Sequence, residues 1–163
     1  MGGTFPPQLG QSYPLQLSVG GVDDGKKHLG VIYMADQLSK TTAVPVYFNY
    51  NLINYPMAYT ANVGDTVAIQ LKNASSDDYK QIAVLNTPQG AQIIDNTDGS
   101  PRCENGLAHN SVCEVTLDLT NAGTGTYKVL FQGIMDGSLK AANDTDENNP
   151  NVGVYNLTVQ NGF

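Results

Sequence analysis

Residues 112–119 read Val-Cys-Glu-Val-Thr-Leu-Asp-Leu, and this stretch decides the fold class. From Cys113 onward, every second residue is apolar. Because successive side chains of a β-strand point to opposite faces, these apolar residues share one face of a strand. The other face carries Glu114, Thr116 and Asp118 and is predicted to meet water. Cys113 lies in register with the apolar set, so the pattern predicts that it points into a core.

The same period of two recurs along the rest of the chain. Four further segments alternate in this way: 15–19, 67–71, 127–131 and 155–159. Three more are apolar on both faces and fit central strands or strands that a partner covers: 29–34, 44–50 and 80–86. Turn-forming Gly, Pro, Asn and Asp separate these segments. Short strands at even spacing predict an all-β antiparallel sandwich of about eight strands.

The length of 163 residues fits one domain. Residues 1–11 are rich in Gly and Pro and are predicted to form a flexible N-terminal arm, and residues 12–163 to form a single β-sandwich domain. Residues 133–151 interrupt the strand rhythm with a long loop that carries four acidic residues. A loop of that length inside a compact domain is usually functional or disordered.

The charge of the chain excludes one class of partner. The formal net charge is −7 and the pI is about 4.4, whereas nucleic-acid binding requires clustered Lys and Arg. No apolar stretch approaches the roughly 18 residues of a membrane span, so membrane insertion is not expected. Met1-Gly2-Gly3 reads as a start placed before a mature chain, and a signal peptide is presumed to have been removed.

The two cysteines are Cys103 and Cys113, with nine residues between them. That spacing does not suit a zinc knuckle, whose paired ligands are separated by two to four residues. The intervening residues are rich in turn formers, so the loop can close on itself. We therefore predict a disulfide, which implies an oxidising compartment: the extracellular space, the periplasm or the cell surface.

A longer pattern extends around the two cysteines. It consists of a turn between them and of turn-to-strand steps on both sides: Leu107-Ala108-His109-Asn110-Ser111, Gly64-Asp65-Thr66-Val67 and Gly125-Thr126-Tyr127. Over residues 60–132 the arrangement resembles bacterial extracytoplasmic Ig-like domains of the ASPM/SPD-2/Hydin (choice-of-anchor) type. The resemblance implies an Ig-like β-sandwich that serves as a structural or adhesive module, and it implies no catalytic residues.

The sequence departs from that family pattern at two positions of the turn. His109 stands where the family usually has Pro, and Asn110 stands where it has Gly. Asn tolerates the left-handed backbone conformation better than most residues, so we expect the turn to form. The first sixty residues and the long acidic loop have no counterpart in the pattern.

Tyrosines supply the candidate contact residues. The chain has nine Tyr and no Trp, and four of the Tyr fall within one short stretch: Tyr47, Tyr50, Tyr55 and Tyr59. An exposed tyrosine offers apolar area together with a hydrogen-bonding tip, which suits a protein or glycan ligand. Burial within the sheets is the alternative interpretation of the same residues.

A calcium site is the candidate metal chemistry. Asp144, Asp146 and Glu147 of the acidic loop supply the oxygen ligands that Ca²⁺ prefers. The spacing begins like an EF-hand loop, but Asn149 and Tyr155 stand where an EF-hand requires Gly and Glu. A looser carboxylate site or a solvated loop stays open, and no other cofactor is expected.

These features together predict a secreted or surface-exposed, non-catalytic module that binds a protein or a glycan and can associate with itself. No nucleophile motif or phosphate-binding loop is present in the sequence, so an enzyme is not expected. Two alternatives stay open. A secreted carbohydrate-active enzyme would require two converging carboxylates in a pocket, and a pilus or coat subunit would assemble through an exposed strand edge.

Overall fold

The computed structural model describes residues 24–35, 40–135 and 145–162. Within these residues the protein is all-β, with ten strands, one short 3-10 helix and no α-helix. The strands are β1 His28–Ala35, β2 Thr41–Phe48, β3 Leu52–Tyr55, β4 Ala58–Asn62, β5 Thr66–Asn73, β6 Gln81–Leu85, β7 Gln92–Ile94, β8 Val112–Asp118, β9 Gly125–Ile134 and β10 Val152–Gln160, and the 3-10 helix is Cys103–Asn105. No helix in this part of the chain is long and apolar enough to cross a membrane.

Eight of the strands form two four-stranded sheets. One sheet has the order β3-β5-β8-β7 and the other has the order β4-β10-β9-β6. All pairs in both sheets are antiparallel except β4 with β10, which run parallel. The apolar faces of both sheets contribute to one core, which makes the structure a sandwich.

The first strand of the sandwich is divided between the two sheets. β3 pairs with β5 in one sheet, whereas β4 pairs with β10 in the other. The chain changes sheets at Pro56, which follows a cis peptide bond. With β3 and β4 counted as one strand, the sheets hold strands one, two, five and four, and strands one, seven, six and three. This is the strand order of an Ig-like sandwich with a split first strand.

Tyr127, near the start of β9, provides a second feature typical of Ig-like domains. Its hydroxyl donates a hydrogen bond to the carbonyl oxygen of Gly123 at 2.9 Å. This closure of the turn between β8 and β9 is the tyrosine corner of Ig-like sandwiches. A Cβ atom on residue 123 would lie 3.1 Å from that hydroxyl, which explains the glycine. Strand order and tyrosine corner confirm the predicted Ig-like β-sandwich.

The core follows from the alternating patterns read in the sequence. Along β5 and β8 the apolar set is buried, and in β5 every intervening residue is exposed. The largest fully buried side chains come from both sheets and from the segment before β6: Tyr79, Tyr155, Phe131, Leu52, Ile69, Leu71, Leu117, Leu119, Ile134 and Leu157. Burying one such side chain contributes roughly 1.5–3 kcal/mol, so these residues dominate the stability of the sandwich.

The cysteine pair is confirmed as a disulfide. Cys103 lies in the 3-10 helix and Cys113 on β8, and their Cα atoms are 5.1 Å apart. Both cysteines are buried and belong to the main core cluster. The bridge therefore fixes the turn before β8 to the inner face of the sheet, as the register of Cys113 predicts. Asn110 in this turn has a φ of 59°, so the left-handed conformation expected there does occur.

The remaining two strands, β1 and β2, form a separate antiparallel hairpin. Its register runs from the His28–Phe48 pair to the Ala35–Thr41 pair. The apolar segments 29–34 and 44–50 were candidates for central strands, but their strands lie in this two-stranded sheet and not in the middle of a larger one. The third such segment, 80–86, forms the edge strand β6.

Three strands were missed and one loop was placed too early. β3, β4 and β7 have three to five residues each, too few for a clear alternation. The acidic loop does not begin at Gly133, because β9 continues through Ile134. The predicted arm 1–11, the predicted strand 15–19 and Asp144 lie outside the described residues.

Candidate functional site

An open cleft lies against the outer face of the β4-β10-β9-β6 sheet. Its volume is about 270 Å³. Seven of the described residues line it: Lys27, Tyr50, Met57, Glu147, Asn148, Val154 and Asn156. We call this the Tyr50 cleft. It brings together one tyrosine and one acidic residue that the sequence marked independently.

The floor of the Tyr50 cleft is formed by β10. Val154 and Asn156 alternate with Tyr155 and Leu157, which are buried in the core. The period of two therefore turns the first pair to the outer face of the sheet. Met57, which follows the corner between β3 and β4, adds an apolar wall.

The segment before β10 holds the acidic side of the cleft in place. The carbonyl oxygen of Pro150 accepts hydrogen bonds from the backbone N–H groups of Asn51 and Leu52, at 2.9 and 3.1 Å. The N–H of Asn148 donates to Oδ1 of Asp146 at 3.0 Å, which makes a local Asx turn. The loop is thus tied to the start of β3, next to Tyr50.

Lys27 places a cation inside the cleft wall. Its Nζ donates a hydrogen bond to the carbonyl oxygen of Val152 at 2.5 Å and lies 5.1 Å from the centre of the Tyr50 ring. Burial lowers the pKa of Lys27, and the nearby carboxylates of Glu147 and Asp146 oppose that shift. A lysine in this position is held by one carbonyl group and one aromatic face, which fixes its direction.

Glu147 is shared between the cleft and the neighbouring strand. Its Oε1 lies 2.6 Å from Nζ of Lys128 on β9, and both side chains are about half exposed. An exposed ion pair of this kind contributes at most about 1 kcal/mol. The pair therefore orients the Glu147 carboxylate but leaves it accessible to a ligand.

Three of the four predicted tyrosines form one cluster. The rings of Tyr47 and Tyr50 meet edge to face at 5.1 Å, and those of Tyr47 and Tyr55 at 6.3 Å. Such T-shaped contacts are a favoured geometry for aromatic pairs. Burial raises the pKa of both Tyr47 and Tyr50. The contact with Tyr47 therefore helps to hold the Tyr50 ring in position at the cleft.

Tyr59 does not join this cluster. It lines another cleft of about 170 Å³ together with Pro56, Thr66, Val67, Ala68 and Tyr155. Its side chain is half exposed on the edge strand β4. The four tyrosines that are neighbours in sequence thus serve two different surfaces.

Two of the three predicted calcium ligands, Asp146 and Glu147, lie in the described part of the chain. Asp146 accepts the Asx-turn hydrogen bond, and Glu147 pairs with Lys128. Within residues 24–35, 40–135 and 145–162, no three His, Cys, Asp or Glu side chains come together in a group that could hold a metal ion. Asp144 is outside those residues, so the calcium site stays a prediction.

Sequence reasoning missed most of the cleft. Lys27, Met57, Val154 and Asn156 were not among the predicted site residues, because they lie on three separate segments that only the fold brings together. The one available clue was the period of two in β10, which places Asn156 on an outer face. A cleft that joins a cation, a carboxylate, two amides and an aromatic ring can hydrogen-bond a polar ligand while it covers an apolar part.

Comparison with known proteins finds distant structural likenesses. No known family matches the chain, and no curated protein matches it. One similar solved structure is described as "Chaperone-tip adhesin complex is vital for synergistic activation of CFA/I fimbriae biogenesis", with a TM-score of 0.41 and 14% identity over 69% of this chain. The match spans 57% of that structure's own chain.

A second similar structure is the ASH / PapD-like domain of human CEP192, PapD-like domain 7. Its TM-score is 0.39 at 14% identity, and the match covers 83% of this chain and 97% of that domain. Both likenesses are too distant to transfer a function. The Ig-like assignment depends on the strand order and the tyrosine corner, and the ASPM/SPD-2/Hydin type stays a prediction.

Proposed function

We propose that this protein is a non-catalytic binding module, located outside the cytoplasm, that recognises a glycan at the Tyr50 cleft. The observation that carries the proposal is the composition of the cleft wall. Asn148 and Asn156 offer amide donors and acceptors, Glu147 a carboxylate and Tyr50 an aromatic ring. Sugars present hydroxyl groups and apolar ring faces side by side, and this set of side chains complements both.

The same cleft favours binding over glycoside hydrolysis. Hydrolysis by the usual route uses two carboxyl groups on either side of the scissile bond. Among the residues that the structure describes, Glu147 is the single carboxylate that lines the Tyr50 cleft. Glu104 and Glu114 line another depression together, but its volume is about 10 Å³, room for about one water molecule. A carbohydrate-active enzyme is therefore the weaker interpretation.

The disulfide supports the proposed location. Cys103 and Cys113 are buried in the core, so their bridge is part of the folded sandwich. Such bridges persist in oxidising compartments. A structural subunit of a pilus or coat is the second candidate function, and the exposed β1–β2 hairpin favours it.

A glycan array probed with the labelled full-length chain tests the function. We expect binding to a defined subset of glycans. Asn156→Ala should weaken the interaction about tenfold, the equivalent of about 1.4 kcal/mol, and Tyr50→Ala should weaken it at least as much. Tyr59→Ala is the matched control, because Tyr59 lines the other cleft.

Two results would overturn the proposal. One is an array with no glycan above background. The other is binding that Asn156→Ala and Tyr50→Ala leave unchanged while both variants retain the circular dichroism spectrum of the parent. Release of a cleaved product from a bound glycan would instead establish the enzyme alternative.

A further inference from the structure

The β1–β2 hairpin is the most exposed apolar element of the described structure. Five of the nine large hydrophobic residues with exposed side chains lie on it: Leu29, Val31, Tyr33, Met34 and Val44. An isolated two-stranded hairpin has marginal stability in water. An apolar hairpin outside the core therefore gains from a further strand or from a covering surface.

The two edges of the hairpin differ, because the register pairs Val31 of β1 with Pro45 of β2. Proline has no N–H, so Val31 and Pro45 form a non-hydrogen-bonded pair. Hydrogen-bonded and non-hydrogen-bonded pairs alternate along an antiparallel ladder. Gly30 and Ile32 therefore bond to β2. The N–H and C=O groups of Val31 point away from β2, to the free edge of β1.

The alternation extends this arrangement along β1. Leu29, Val31 and Tyr33 all present their backbone groups at the free edge, and their side chains share one face. These side chains are 50%, 48% and 71% exposed. On β2 the corresponding edge is interrupted, because Pro45 supplies no donor there. Among the described strands β1 pairs with β2 alone, so its outer edge can accept another strand.

Charge narrows the choice of partner. β1 and β2 contain no Asp, Glu, Lys or Arg, although the chain as a whole carries a net charge of −7. Edge strands are usually protected from pairing by charged residues, and β1 lacks that protection. Two acidic chains can meet at this neutral element without bringing like charges into contact. A second β1 is as apolar and as uncharged as the first.

We propose that two copies of this chain dimerise by antiparallel pairing of their β1 strands into one four-stranded sheet. A two-fold axis normal to the sheet keeps the side chains of Leu29, Val31 and Tyr33 from both copies on one face, which doubles the apolar surface there. A contact of this symmetry closes at two copies and does not continue into a fibre. The dimer uses a different surface from the Tyr50 cleft, so it does not depend on the proposed function.

Light scattering during size-exclusion chromatography tests the dimer. With increasing protein concentration, the mass should rise from 17.4 kDa to twice that value. Val31→Pro removes a donor from the β1 edge and leaves the bonds to β2 intact, so the mass should stay at one chain. The matched control is Ala43→Pro, which makes the same change at the β2 edge because Ala43 pairs with Tyr33; this variant should still dimerise.

Amide hydrogen exchange supplies a second readout. The N–H groups of Leu29, Val31 and Tyr33 should exchange fast in the dilute protein and slowly in the concentrated one, whereas those of Gly30 and Ile32 are protected in both. If Val31→Pro loses the protection at Gly30 and Ile32, the hairpin itself has opened. In that case Tyr33→Lys is used as the test variant in place of Val31→Pro. It puts a charge on an exposed side chain of β1 without altering the hydrogen bonds between β1 and β2.

Several outcomes would overturn the proposal. They are a mass of one chain at every concentration, dimerisation that persists in both Val31→Pro and Tyr33→Lys, and loss of the dimer in Ala43→Pro with the β1 edge unaltered. A mass that keeps rising beyond two chains would also contradict the dimer. It would instead favour the second candidate function, a structural subunit of a pilus or coat.

Discussion

The aromatic ring of Tyr79 occupies the space that a Cβ atom on Gly133 would require. A Cβ built on Gly133 would lie well inside 3.0 Å of three ring atoms. The ring is fixed from its far end, because the Tyr79 hydroxyl donates a hydrogen bond to Oδ1 of Asn151 at 2.9 Å. Gly133 and Asn151 are themselves joined by a backbone hydrogen bond of 2.8 Å. The segment before β6, the end of β9 and the residue before β10 therefore form one packed unit.

Gly133→Ala should destabilise the sandwich, because the added methyl group must displace the Tyr79 ring. Overpacking of a core by one such group costs about 1–3 kcal/mol. Urea unfolding followed by circular dichroism measures this loss as a lower midpoint with an unchanged slope. Gly30→Ala is the control, since a Cβ there would meet its nearest atom at 3.6 Å. Equal midpoints for the two variants would contradict the packing argument.

Tyr127→Phe should remove the hydrogen bond of the tyrosine corner and leave the ring in place. A neutral hydrogen bond of this kind contributes about 1 kcal/mol to the free energy of unfolding. Differential scanning calorimetry should therefore give a lower Tm. The same substitution at Tyr59, a half-exposed residue on β4, should leave the Tm nearly unchanged. A Tyr127→Phe chain as stable as the parent would show that the corner is not stabilising.

Replacing both Cys103 and Cys113 by Ala should lower the free energy of unfolding by about 2–3 kcal/mol. That value follows from the loop entropy of a bridge between residues 10 apart in sequence. The loss should appear equally in the parent chain unfolded in the presence of a reductant. Unfolding of the parent that does not respond to reductant, under conditions where free thiols are detected, would refute the prediction.

High pH should destabilise the protein through two buried tyrosines, Tyr79 and Tyr155. Burial raises the pKa of Tyr79 and of Tyr155 to about 12, compared with the ordinary value of 10.0. As the pH rises from 10 towards 12, the unfolded chain releases protons that the folded chain still holds. The free energy of unfolding therefore falls across that window, and the stabilisation is fully present below pH 10.

The substitution Tyr79→Phe should flatten this alkaline slope, because it removes one of the two hydroxyls whose pKa is raised to about 12. Urea unfolding at a series of pH values measures the slope, and Tyr33→Phe serves as the control because the Tyr33 side chain is exposed. The variant also loses the bond to Asn151, so its stability at neutral pH should be lower. An unchanged slope in Tyr79→Phe would exclude this residue as the cause.

The sheets of the sandwich could be predicted where a strand buries one face and is long enough to show it. In β5 and β8 the period of two identifies both the strand and its inner residues, Cys113 included. β3 has four residues and β7 has three, and strands this short are too short to show a period of two. β4 is an edge strand on which Ala58, Tyr59 and Thr60 are all exposed, so it shows no alternating apolar row.

The site was harder to predict than the fold. The stretch from Tyr47 to Tyr59 supplies the predicted contact residues, yet the chain turns at Pro56 and divides these tyrosines between two surfaces. A single sequence does not reveal that corner, because proline is compatible with several turns. Lys27 and Asn156 are 129 positions apart (156 minus 27), and only the closed sandwich places both at one cleft.

The division of the first strand has a mechanical consequence. β4 runs parallel to β10 and forms five residue pairs with it, from Ala58–Asn156 to Asn62–Gln160. A pull applied between the hairpin at one end and Gly162 at the other draws these two strands in opposite directions along their length. The force then loads all the hydrogen bonds of the ladder together, in shear, and does not open them one by one. Tension along the chain therefore meets the β4–β10 ladder as a whole.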